Sequence, residues 1–345
     1  MLSLYSANAV LSKARAMYGK KITEKNYNEL LSCRSVTEIA SYLKNRTTYS
    51  DVLESINEND VHRGQLEIFI KQKLFYDFAS LGRYDLSVGE HFFEYLIARA
   101  QIQQIMHSLM LLVSNKPGEN VCSLPKLFLH YTKINIDALE NVKNYDDFLN
   151  VLKGSHYYDI LYKFKESDNR KINLTAIETA LYSYLYGILF NTINKHVSGK
   201  PGQELKDLFN SYIDLSNFVR IIRMKKFYNL DNDYIMSCLL PYGNLSNQTL
   251  YSFLNAKNNE RLLEEMKNTS IGRKWMSKNI DNVDKIPKYM RFKWSKHNIR
   301  FSISPPIVLL SYTFLKEMEI ANVINIIEGV RYKLSSEEIK KLLII

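Results

Sequence analysis

Asp214 and Asn217 place a carboxylate and an amide one turn apart on one side of a helix, and Glu319 and Asn322 repeat the arrangement about 105 residues later. Such a pair accepts and donates hydrogen bonds at once. It suits contact with a partner, or the internal work of holding a neighbouring helix or a main-chain group. Recurrence favours the internal role. A third copy, Gln101-Ile102-Gln103-Gln104-Ile105, keeps the pattern with Gln101 in the acidic place and Gln104 in the amide place. Arg220 and Arg223 follow Asn217 and can pair with these carboxylates, face an acidic partner or lie in solvent; none of these roles is catalytic.

A second group of chemistry-bearing residues is basic. Lys285, Lys288, Arg291, Lys293, Lys296 and Arg300 are interleaved with Tyr289, Phe292, Trp294 and Phe301, with no acid after Asp284. Cations among aromatics neutralise phosphates and stack bases in single-stranded nucleic-acid grooves. The same mixture suits a surface near anionic lipid headgroups or an acidic partner protein. A solvated helix with its aromatics turned to the core is the commonest form, and nucleic acid ranks below the other two readings. The formal net charge of +10 agrees with any acidic or membrane-proximal partner, or with nucleic acid.

Catalytic and metal chemistry find little support. His62, His91, His107, His130, His156, His196 and His297 show neither H-x-x-x-H nor H-x-H spacing. Cys33, Cys122 and Cys238 are far apart and odd in number, which argues against a disulfide framework or structural zinc and for a reducing cytoplasm. Gly199-Lys200-Pro201-Gly202 lacks the frame of a phosphate-binding loop, and its proline removes an N–H such a loop needs. It reads as a turn. No G-x-S-x-G element is present, and Asp146-Asp147 and Glu264-Glu265 read as solvated faces of amphipathic helices. No active site, metal, cofactor or small-molecule substrate is expected.

The elements that position these residues read as helices. Only 12 glycines and 7 prolines occur in 345 residues, too few for the corners of a β-protein. Ser35-x-x-Glu38, Ser87-x-x-Glu90, Thr175-x-x-Glu178 and Ser335-x-x-Glu338 fit reciprocal helix caps, and Ser304 before Pro305-Pro306 marks another start. Leu205, Leu208, Tyr212, Leu215, Val219 and Ile222 form one stripe, with Phe209, Ile213, Phe218 and Ile221 off it; with 176–190 this reads as a pair of central helices. No apolar run approaches the ~20 residues needed to span a bilayer.

Two patterns repeat three times at a spacing of about 110 residues. One is a capped amphipathic helix, opening at Ser35, Asn144 and Asn258; the other is the polar pair. With turn signals at Pro117-Gly118 and Pro241-Tyr242-Gly243, the expected organisation is all-α, in three related helical-bundle lobes: 1–118, 119–243 and 244–345.

The run Asp214-x-x-Asn217-Phe218-Val219-Arg220-Ile221-Ile222-Arg223, followed by Leu239-Leu240-Pro241-Tyr242-Gly243-Asn244-Leu245, resembles the middle-lobe signature of the C subunits of A/V-type rotary ATPases, relatives of the eukaryotic d subunits. Pro305-Pro306 through Tyr312, then Glu317-x-Glu319-Ile320-x-Asn322-Val323, Gly329 and 335–342, looks like the last lobe. Ala14-Arg15-Ala16-Met17, Tyr27-x-x-Leu30-Leu31 and Thr48-Tyr49 resemble the N-terminal region. The resemblance implies a funnel of three lobes around a pseudo-threefold axis, one copy per complex. It implies a peripheral cytoplasmic position, between the central-shaft subunits and the proteolipid rotor ring, where a non-catalytic member of the central stalk couples ATP chemistry to proton or sodium transport. Asp214, Asn217, Arg220, Arg223, Glu319, Asn322, Lys288, Arg291 and Lys293 are then the candidate partner-interface or inter-lobe residues. Gln101 and Gln104 depart from the pattern, as does the strongly cationic 285–300 segment. A helical nucleic-acid-binding protein using 285–301 stands as the alternative.

Overall fold

The computed structural model describes residues 2–58, 60–83, 89–114, 134–135, 138–139, 142–165, 172–228, 230–276 and 282–345, and no strand occurs among them. In chain order the α-helices are α1 (Leu2–Gly19), α2 (Glu24–Ser32), α3 (Val36–Arg46), α4 (Ser50–Leu53), α5 (Arg63–Gly82) and α6 (Gly89–Ser114). Then follow α7 (Tyr145–Leu152), α8 (His156–Leu161), α9 (Leu174–His196), α10 (Gly199–Tyr228), α11 (Asn232–Ser237) and α12 (Asn247–Asn255). The last are α13 (Asn259–Asn268), α14 (Ser270–Trp275), α15 (Ile286–Phe301), α16 (Pro305–Arg331) and α17 (Ser336–Leu342). The fold is all-α.

Capping chemistry sets the helix starts. Ser35, Asn144 and Asn258 each accept a hydrogen bond from the N–H three residues on, at the heads of α3, α7 and α13, so the repeated opening is one structural device used three times. Ser335 and Glu338 form the full reciprocal box. At Ser35 the box is open: Glu38 reaches one residue further back, to the N–H of Arg34.

Two further expectations are corrected. The cap of α9 is Asn173, which accepts from Ala176 N, and Thr175 lies inside the first turn. The start read at Ser304 stands: α16 begins at Pro305 behind the N-cap Ser304, with prolines in the first two helical positions, although the Ser304 side chain makes no cap bond. Lys200, Pro201 and Gly202 belong to the first turn of α10; the break from α9 falls at Val197 and Ser198, ahead of the left-handed Gly199 (φ +67°). Ser87, the Pro117-Gly118 turn, Cys122 and His130 lie outside the described residues.

Contacts divide the described chain into two compact units, residues 2–100 with 292–345, and residues 101–114 with 134–291. In the first, α16 is buried around most of its circumference and packs on α1, α2, α3, α5 and α17. Its core joins Leu30, Ile39, Leu43 and Leu66 to Val323, Ile326 and Ile327, all fully buried. In the second, α10 packs against α9 and α13. Phe209, Ile213, Phe218 and Ile221, the residues off the sequence stripe, are buried more deeply than Tyr212 and Ile222 on it. No residue of α9 between 174 and 190 is fully exposed, as expected for the second central helix.

Candidate functional site

In the second unit, α10 turns Asp214 and Asn217 towards the segment joining α11 to α12. Asn217 accepts from the N–H of Leu240 (2.9 Å) and donates to its carbonyl (3.0 Å), so one side-chain amide takes both main-chain groups of one residue. The Asp214 carboxylate accepts from the N–H groups of Asn244 (2.9 Å) and Leu245 (3.2 Å). Both side chains are buried, at 3% and 2% exposure. Burial pushes the Asp214 carboxyl up to about 6, and the two main-chain donors pull it back part of the way. Gly243 sits against the carboxylate at φ +122°, and a Cβ there falls 2.2 Å from Asp214 Oδ1.

Arg220 completes this clasp. Its guanidinium donates to the Thr179 hydroxyl (2.8 Å), the Cys238 carbonyl (2.7 Å) and Glu178 (2.9 Å), tying α9 and α10 to the start of the same segment. Arg223 instead pairs at the surface with Asp284 (2.9 Å), where solvent screening leaves little net stabilisation.

The first unit holds the same device. Asn322 on α16 accepts from the N–H of Ile344 (3.0 Å) and donates to its carbonyl (2.8 Å). Glu319 accepts from the N–H of Ile22 (2.8 Å). Leu245 immediately precedes Ser246, the cap of α12, and Ile22 immediately precedes Thr23, the cap of α2. Each acid therefore grips the residue before a capped helix. The difference lies in connectivity: the groups held by Asp214 and Asn217 come from one continuous segment, whereas those held by Glu319 and Asn322 come from opposite ends of the chain. In the first copy Gln101 is buried and accepts from the Tyr157 hydroxyl (2.9 Å). A neutral amide there meets a neutral donor.

Behind Glu319 lies a charge network that the sequence patterns alone did not reveal. Lys316 bridges Glu319 (2.7 Å) and Asp77 (3.9 Å), Lys73 pairs with Asp77 (2.9 Å) and Asp51, and the Tyr49 and Tyr312 hydroxyls donate to Glu319 and Asp77. Removing one member of a buried network strands a charge, so the cluster is held together as a set. Burial, reinforced by these carboxylates, pushes the phenols of Tyr49 and Tyr312 well up, so they serve as donors. A signal was present: Lys73 and Asp77, and Lys316 and Glu319, are opposite charges spaced four and three apart on their helices.

Beside this network a cavity of about 430 Å³ opens between the α1–α2 turn, α15 and α16, with Tyr27, Tyr312, Lys316, Glu319 and Asn322 on its wall. Both Glu319 oxygens are occupied, by the Ile22 N–H on one side and by Tyr49 and Lys316 on the other.

The basic helix α15 turns most of its aromatics inward. Phe292 is buried, Tyr289 and Trp294 are half-buried, and Phe301 is exposed. A row of open rings for base stacking is not formed. Arg291 lies over the Tyr212 ring (5.0 Å), and Lys288 and Lys293 are exposed. The structure thus gathers Asp214, Asn217 and Arg220 on one segment, and Glu319 and Asn322 in another setting of the same kind. Arg223, Lys288, Arg291 and Lys293 join neither clasp. Among the described residues no group of three His, Cys, Asp or Glu side chains is placed to hold a metal, and no helix is long and apolar enough to cross a membrane.

The family described as ATP synthase (C/AC39) subunit matches residues 10–342. The C subunit of the A-type ATP synthase of Pyrococcus horikoshii is 23% identical over 347 residues, covering 96% of this chain and 88% of that protein. The protein of the same name from Desulfurococcus sp. is 24% identical over 353 residues, with the same coverage. That of Methanosarcina mazei is 24% identical over 259 residues, covering 68% and 62%. With residues 10–342 of its 345 matched, the chain belongs to the ATP synthase (C/AC39) subunit family.

Proposed function

We propose that this protein is the non-catalytic C subunit in the central stalk of an A/V-type ATPase, coupling the central shaft to the proteolipid rotor ring while ATP is consumed or made. The observation that carries the reading is how the polar pairs are used. Asp214, Asn217, Glu319 and Asn322 each hold main-chain groups of the same chain, and Glu319 and Asn322 hold buried side chains as well, as suits a stiff body that transmits torque.

In this reading the three lobes, 1–118, 119–243 and 244–345, surround a pseudo-threefold axis. One copy per complex sits peripherally on the cytoplasmic face of the membrane, and its partners are the shaft subunits and the ring. Affinity-tagged protein expressed in its own cells and recovered from gently solubilised membranes should bring down shaft subunits and the proteolipid. Recovery of neither would overturn the proposal.

A further inference from the structure

The cavity beside Glu319 carries an apolar patch and two further cations on its lining. Met17, Leu315, Met318 and the Phe292 ring supply apolar lining beside the polar wall already described, and the cavity's volume of about 430 Å³ lies within the ~300–1,000 Å³ typical of small-molecule sites. Lys21 and Lys296 stand at its edge, half-buried. Each ammonium lies over an aromatic ring, Lys21 over Tyr18 at 4.7 Å and Lys296 over Phe292 at 5.2 Å.

What sets these two apart is their pairing. Elsewhere in the same unit half-buried or buried cations have carboxylate partners: Lys44 with Glu58, Lys73 with Asp77, Arg99 with Glu317 and Lys316 with Glu319. Neither Lys21 nor Lys296 has an ion pair among the described residues, although Glu24 also stands at the rim. Arg300 adds a third positive charge nearby, against the Tyr18 hydroxyl. Two ammonium groups held over aromatic faces, lining one cavity with an apolar patch, are suited to an anion whose remainder is apolar.

We propose that this cavity binds a small amphiphilic anion, with a phosphate or carboxylate head between Lys21 and Lys296 and an apolar body against Met17, Phe292, Leu315 and Met318. The proposal also gives the cationic 285–300 segment a use that the clasps do not explain, since Phe292 and Lys296 come from it.

The test is isothermal titration of the full-length protein with decyl phosphate below its micelle concentration, alongside decanol and inorganic phosphate. Saturable one-to-one binding of decyl phosphate is expected, at least about tenfold tighter than either control. The double variant Lys21→Met, Lys296→Met keeps the apolar stems and should weaken it by about tenfold or more. Met17→Trp, which fills the cavity from its lining, should abolish binding with helical circular dichroism unchanged. Equal affinity for decanol or inorganic phosphate, unchanged binding by either variant, or no saturable binding at all would overturn the site. Anionic phosphatidylglycerol vesicles form the last arm. Capture on vesicles that depends on the two lysines while soluble decyl phosphate does not bind would assign them to a bilayer surface and also overturn it.

Discussion

At the scale of single residues, the molecule spends buried polar groups on its own backbone. Asn217 matches the N–H and the carbonyl of Leu240 with one amide, and truncation leaves both without a partner in a dry setting. Asn217→Ala should therefore cost about 2–4 kcal/mol in urea unfolding. Asn217→Asp should not rescue it, because a carboxylate cannot donate to the Leu240 carbonyl. Asp214 makes a different prediction. Its carboxyl rises from 3.8 to about 6 through burial. The folded form then holds more protons than the unfolded chain between these pH values, so stability falls as pH rises from about 4 to about 6, and the cost is fully present above that. Relative to Asp214→Asn, which lacks the titration, the wild type should lose about 2–3 kcal/mol between pH 4 and 7. A stability gap between the two that stays flat across this range would refute it.

At the scale of elements, the clasp works only because the gripped segment comes close, and Gly243 permits the approach. Gly243→Ala puts a methyl into the Asp214 carboxylate and imposes φ +122° on a residue that disfavours it, with an expected cost of about 2–4 kcal/mol. The clash and the backbone strain separate in a double-mutant cycle. Asp214→Ala should absorb part of the Gly243→Ala cost, and full additivity would show that the two do not meet. Much of this level was legible in the sequence. Ser35, Asn144 and Asn258 announce helix starts because capping is local chemistry, and Asp214 with Asn217 announces a buried polar pair because two polar residues interrupt an apolar helix. The receivers were not legible: nothing local to Glu319 points to Ile22, 297 positions away in sequence. The Lys73, Asp77 and Lys316 network was half-visible as spacing within each helix, and hidden where α5 meets α16. At 199–202 the glycines drew the break too late, since proline is at home in a first helical turn.

At the scale of the whole chain, the first unit is assembled from both ends of the sequence. The core residues of α2, α3 and α5 close in large part against α16 and α17, and the Glu319 and Asn322 clasps hold Ile22 and Ile344 to the same helix. In the second unit the equivalent grip falls on a segment that continues directly into α12. The last copy therefore finds in the N-terminal segment what the middle copy finds in its own continuation. A fragment ending at Ala100 lacks Val323, Ile326, Ile327, Ile339 and Leu343, five buried aliphatics worth about 1.5–3 kcal/mol each. Their sum is comparable with the entire ~5–15 kcal/mol stability of a domain. The fragment alone should show no cooperative thermal transition by circular dichroism. Adding a peptide of residues 292–345 should restore one, and the same peptide carrying Glu319→Ala and Asn322→Ala should restore it only at a lower midpoint. Cooperative melting of the 1–100 fragment by itself would show that its core does not depend on α16, and that the grip on Ile22 joins two already stable parts.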